Sequence, residues 1–182
     1  MNDAAFHQRI FFTIALVIFA VIHLGLEIQN GGVVSHHLLA REDMPAISNW
    51  WGLLLLPALA WFLYPFMSGA QLSMTKQPAG ALGLPRAAQY RLAGAIVYGG
   101  MLGAAFEFGS EQIPAVLMGV LFPLGIVIPL YRAELILGMV IGMTFTFGAI
   151  IPTFVTGVIA LASYLTHTIA RFIFLKMKAL RK

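Results

Sequence analysis

The sequence predicts an all-α integral membrane protein, a bundle of six transmembrane helices with both termini in the cytoplasm. Three observations carry that expectation. Of 182 residues, 60% are hydrophobic and only 10% charged, against about 25% charged in a soluble domain. The apolar residues gather into runs close to the roughly 20 residues that one span requires. The basic residues between those runs sort to one side. A disordered chain would need the opposite composition. The whole chain, 1–182, reads as one transmembrane domain with no room for a separate soluble one.

The first span is expected over 10–29, after Arg9. A basic residue before an apolar run also opens a signal peptide, but His23 and Glu27 fall inside this run and no small-x-small cleavage site follows. The second span is placed at 50–67, with Ser48 and Asn49 as N-caps. The third covers 90–108 and the fourth, which carries no charge, 113–131. The remaining apolar stretch, 135–175, is about twice too long for one straight span at about 1.5 Å per residue. It should fold back around Gly148 to Thr153, where Pro152 disfavours a helical residue before it. That gives spans at 135–149 and 153–175.

Orientation follows from the basic residues. In this topology Arg9, Lys76, Arg86, Arg91, Arg132, Arg171, Lys176, Lys178, Arg181 and Lys182 lie inside, and only Arg41 lies outside. A five-span chain would lose that bias. The net charge of +4 is therefore a topology signal, and no nucleic-acid partner is expected. The basic C-terminal tail suits anionic lipid. A bacterial inner membrane is the expected location. Cysteine is absent, which removes thiolate metal sites, disulfides and thiol catalysis.

Five of the seven acidic residues and three of the five histidines fall on the opposite side. His23 and Glu27 are four apart on one helix face, and an ionisable pair at membrane depth usually turns inward. Gly31 and Gly32 then turn the chain into a long outer loop, 30–49, holding Ser35, His36, His37, Glu42 and Asp43. Long loops of this kind are often functional. Ser35 is expected to cap a short helix that Pro45 ends, with Leu38 and Leu39 against the membrane. His23, Glu27, His36, His37 and Asp43 are the candidate ligands for a small polar molecule or a divalent transition metal such as zinc, since imidazole with carboxylate suits that chemistry. A structural hydrogen bond between His23 and Glu27 is the plainer alternative. Glu107 and Glu111 are secondary candidates, with solvated helix-end charges as the alternative. Trp50 and Trp51 are interface anchors or a stacking wall.

Small residues form two ridges, Ala95, Gly99, Gly103 and Gly138, Gly142. Such ridges allow close helix packing within a bundle or between copies in a homo-oligomer. Pro57, Pro65, Pro123 and Pro129 suggest kinked helices of the kind that line transport paths. Thr156, Ala160, Ser163, His167 and Arg171 share one face of the last span, where Ser163 and His167 extend a polar route or cap the inner interface. Three functions follow as expectations. The first is a small transporter, or the membrane subunit of one, taking its ligand at the outer cluster. The second is a membrane-embedded metal-dependent hydrolase of a lipid-like substrate. The third is a non-catalytic accessory or scaffold subunit.

Overall fold

The computed structural model describes residues 3–37, 43, 45–69, 82–109 and 112–180. Six helices account for most of them: α1 (Asp3–Gln29), α2 (Gly52–Met67), α3 (Arg86–Phe108), α4 (Gln112–Val127), α5 (Ala133–Phe147) and α6 (Ile150–Leu180). α1, α6 and α2 with the 3-10 turn before it (Asn49–Trp51) are long and apolar enough to cross a membrane. α4 and α5, at 16 and 15 residues, are apolar but reach only about 24 Å and 22 Å, short of the roughly 30 Å hydrocarbon thickness. α3 has the length, but its glycines, Arg91 and Glu107 dilute its hydropathy. Exposed Phe, Leu, Ile and Val side chains cover α1 and α6, as expected of helices facing lipid. The chain is an integral membrane protein by these helices.

α1 starts seven residues before the expected span, at Asp3, and α6 runs five residues past it, to Leu180; the other shifts are set mostly by proline. α4 ends at Val127 rather than 131, because Pro129 removes a donor and restricts the residue before it. α3 begins four residues early, at Arg86, directly after Pro85. α6 begins at Ile150 rather than 153 and carries Pro152 in its first turn, where a missing N–H costs nothing. The predicted reversal between the last two helices is present and very tight. Gly148 closes α5 with φ +65°, a left-handed conformation that suits glycine. α2 stays helical through both Pro57 and Pro65.

The outer loop is a correction. Ser35 does not start a helix. Ser35–His37 is a strand, β1, paired antiparallel with Ala46–Ser48, β2, in the register Ser35↔Ser48, His36↔Ile47, His37↔Ala46. Gly31 and Gly32, both at positive φ, release the chain from α1 and turn it back. Asn49 N–H then donates to Val34 O at 3.0 Å, extending the pairing to the start of the 3-10 turn. A local capping preference at Ser35 loses to a ladder whose partner strand lies beyond Pro45. Leu38, Leu39, Glu42 and the tip of this loop lie outside the described residues, as does Glu111.

α5 is the central helix. Leu137, Val140 and Thr144 are almost fully buried on the face toward α1 and α2, and Met143 lies beside that face in the cluster with α4 and α6. Its closest neighbour is α3, and the two run parallel: Gly138 meets Leu92 and Ala95, Gly142 meets Ile96 and Gly100, and Thr146 meets Gly103. The two small-residue ridges thus pack against each other inside one chain. A Cβ on Gly99 would sit 2.7 Å from Met139 O, and one on Gly142 would sit 2.7 Å from Gly100 N. α1 and α2 pair antiparallel on the other side of α5, and Arg9 ties the first half of α1 to α2 by donating to Trp61 O at 2.9 Å with its guanidinium over the Trp61 ring. α4 and α6 run parallel, held by Ser163. Its hydroxyl donates to Gly125 O at 2.8 Å and accepts from Leu130 N–H at 3.1 Å. This binds together the end of α4 and the turn that Pro129 creates.

The seam between α3 and α5 makes a stability prediction. Gly142→Val should destabilise the protein by about 1–3 kcal/mol or prevent folding, because backbone rather than a flexible side chain blocks the new atoms. Gly94→Ala on the same α3, where a Cβ meets nothing within 4 Å, should be neutral or slightly stabilising. Thermal unfolding of the two variants in detergent measures the contrast.

Candidate functional site

The ends of α1, α3 and α5 and the start of α2 meet under the hairpin. His23 is buried on α1, one turn before Glu27, with its Nε2 3.6 Å from Glu27 Oε1. Its ring stands edge-on to Phe145 of α5, centroids 5.0 Å apart. Glu27 is the hub. Asn49 Nδ2 donates a short hydrogen bond to Oε1, and the Val34 N–H donates to Oε2 at 3.3 Å. Asn49 Nδ2 also lies 3.5 Å from His36 Nε2 on β1. His23, Glu27, Asn49 and His36 therefore form one connected polar group.

The sequence offers Ser48 and Asn49 alike as helix caps. Asn49 is instead a buried member of this group, 5% exposed, while Ser48 does the capping by accepting from Trp50 N–H at 3.4 Å. The tight Gly148 turn fixes its position, since a Cβ on Gly148 would collide with the Asn49 side chain. The sequence signal was an Asn-Trp-Trp step at a span boundary, which a cap explains equally well.

This group borders a cavity of about 530 Å³. Glu27, His36, Glu107, Phe108 and Phe145 line it, and Gly100 and Gly142 present bare helix backbone to it. A second cavity, about 510 Å³, lies on the other side of His36 and brings Ser35, His36 and His37 against Phe106, Phe147 and Pro152. His36 thus lies between the two. Burial pushes its pKa below the usual imidazole value of 6.5, against a smaller opposite pull from the carboxylates of Glu27 and Glu107. At neutral pH it is uncharged and offers a lone pair.

The other sequence candidates fall in different places. Glu107 is an exposed wall of the first cavity. Asp43 is exposed and is flanked by residues outside the described set. Trp50 and Trp51 are 55% and 56% exposed and line neither cavity, which fits anchors rather than a stacking wall. Ser163 ties α4 to α6, as described above. His167 lies further along α6, its ring against Tyr131 at 5.7 Å. Among the described residues no three His, Cys, Asp or Glu side chains group closely enough to hold a metal ion. No protein-family model matches this chain, and no curated protein or solved structure matches it.

Two predictions follow from this geometry. Asn49→Leu removes the amide that holds Glu27 and leaves a half-buried carboxylate short of a donor, at a cost of about 1–3 kcal/mol. Thermal unfolding reads it, and an unchanged midpoint would refute the hub role. The second prediction concerns pH. The unfolded chain takes up a proton at His36 near pH 6.5, while the folded hairpin resists it to lower pH. His36 therefore makes stability fall as the solution is acidified through 6.5, and this loss is absent above it. Between about pH 8 and pH 5, His36→Gln should flatten the decline in thermal midpoint relative to the parent.

Proposed function

We propose that this protein is a small membrane transporter, or the membrane subunit of one, that takes up a small organic cation at the hairpin end of the bundle. The observation that carries this reading is the composition of one cavity wall. Two carboxylates, Glu27 and Glu107, share a space of about 530 Å³ with the rings of Phe108 and Phe145. Carboxylates attract a cation, and aromatic faces stabilise a desolvated ammonium group. Neutral His36 adds no opposing charge, and its lone pair can accept from an N–H donor. The volume lies in the range of small-ligand sites. These walls favour an amine or quaternary ammonium ion over a bare divalent metal, which asks for several ligands converging on one point.

In this reading all six helices lie in the membrane, α4 and α5 being short because they sit under the hairpin and beside the Pro129 turn. The hairpin faces the extracytoplasmic side of a bacterial inner membrane, since ten of eleven basic residues then stay inside. A hydrolase of a lipid-like substrate is the second reading. It is favoured by the cavity in which Ser35, His36 and His37 meet apolar walls.

Titration of the purified protein with tetramethylammonium and with butylammonium tests the first reading. Saturable binding of at least one is expected. Glu27→Gln should weaken it by at least about tenfold, and Glu107→Gln by less because that carboxylate is exposed. Uptake into proteoliposomes should show the same order. Absence of saturable binding, or indifference to Glu27→Gln in a protein that still folds, would sink the proposal. Lipid hydrolysis lost in His37→Ala would favour the second reading.

A further inference from the structure

His36 and Asn49 are held together by the hairpin. His36 is fixed opposite Ile47 in the ladder, and the Asn49 N–H donates to Val34 O at 3.0 Å. One atom, Asn49 Nδ2, faces two groups: it donates to Glu27 Oε1 and lies 3.5 Å from His36 Nε2. An ionised carboxylate only accepts, so the Asn49 atom beside it is the amide nitrogen rather than the oxygen. Facing that donor, His36 Nε2 offers its lone pair, and the ring proton sits on Nδ1.

A second proton on the ring would go to Nε2 and set donor against donor. Turning the Asn49 amide over does not relieve this, because its oxygen would then face Glu27 as well as His36. No orientation of Asn49 satisfies an imidazolium and the carboxylate together. The imidazolium has to find another acceptor. The ionisable groups that act on it are Glu27 and His23 from α1 and Glu107 from α3, with His37 adjoining it on β1. β2, Ala46–Ser48, brings no titratable group. On the other side of His36, Met118, Met143, Phe147 and Val155 from α4, α5 and α6 are apolar. No Lys or Arg lines either cavity. Among the described groups that act on His36, the anions are therefore Glu27 and Glu107, the same two walls that would hold an organic cation. Glu27 Oε1 lies no more than two hydrogen-bond lengths, about 6 Å, from His36 Nε2.

We infer that the hairpin cavity carries its own proton switch: a proton on His36 and an organic cation beside Glu27 exclude one another. The switch rests on the cation reading of this cavity. The imidazolium is a tethered competitor, a positive charge of the protein's own set among the same carboxylates and rings. Burial holds His36 below the usual imidazole value, so the site accepts a cation at neutral pH and loses it on acidification. The linkage is reciprocal: the proton weakens the cation by the same factor by which the cation weakens the proton.

Tetramethylammonium, whose charge does not change with pH, is the probe, and the full chain in detergent is the target. Between about pH 8 and pH 5 its Kd should rise at least about threefold. His36→Gln keeps a side chain that can face the Asn49 amide but cannot take up a proton. Its Kd, whatever the value at pH 8, should stay constant over the same range, while His37→Gln should keep the parental dependence. In the parent, the His36 imidazole titration followed by NMR of histidine-labelled protein should move about half a pH unit or more to the acid side in saturating tetramethylammonium, the same threefold factor. This second measurement decides the question even where His36→Gln fails to fold. A parental Kd indifferent to pH, a dependence that persists in His36→Gln or vanishes in His37→Gln, or a His36 titration unmoved by the cation would each overturn the switch and leave the cation reading standing. Absence of binding at pH 8 would overturn both.

Discussion

Gly142 lies so close to α3 that no side chain fits between them, and the bundle is arranged around that contact. In lipid, apolar side chains gain nothing from leaving one hydrocarbon surrounding for another. Helices associate there through close packing, and close packing needs small residues on both partners. Gly99, Gly100 and Gly103 on one helix and Gly138 and Gly142 on the other supply them. The contact holds α5 at the centre, with α1 and α2 on one side and α4 and α6 on the other. It also sets where space is left. Gly100 and Gly142 are walls of the hairpin cavity, while Gly94, Ala95 and Met139, further along the same two helices, border a separate apolar opening of about 290 Å³.

The seam also explains how a carboxylate comes to rest at the end of the bundle. α5 stops short because Gly148 turns the chain, and the space above its last turn is filled by Asn49 rather than by lipid. Water does not solvate Glu27 fully there, so protein donors replace it: one amide from the start of α2 and one backbone N–H from the chain entering β1. The hairpin is therefore a lid of backbone and side-chain dipoles over α1, and the same strands carry His36 between two cavities. A helix in place of β1 would turn its N–H groups into its own ladder and withdraw this arrangement.

What could be read from the sequence divides along physical lines. Composition and run length identified the helices because lipid imposes one strong rule on every residue of a span. Length required a reversal between the last two helices, and Pro152 placed it near Gly148. Limits set by Pro85 and Pro129 were missed by several residues, since hydropathy does not register where a proline ring stops a helix. The pair His23 and Glu27 was visible because its partners lie one turn apart. Asn49 was not, because its role depends on Gly148, a residue from another part of the chain, and its local context already had an explanation. The hairpin failed for the same reason: Ser35 offers a local cap, and only the partner strand Ala46–Ser48 reveals the ladder. Thr156 was recognised as part of a stripe, but that its hydroxyl lacks a partner among the described residues is a property of packing alone.

The two ends of the bundle carry opposite electrostatic characters. Basic residues gathered at one end leave Arg91 and Arg132 to neutralise Glu134 with a positive charge to spare. At the other end Glu27 and Glu107 face a cavity with no Lys or Arg among its lining residues, and burial keeps His36 uncharged beside them. The charged residues beside the two ends therefore differ in sign, carboxylates under the hairpin and guanidinium groups at the far end. Ligand choice in a chain this poor in charge need not come from dedicated clusters. One unbalanced charge suffices where the surrounding walls are apolar and screening is weak.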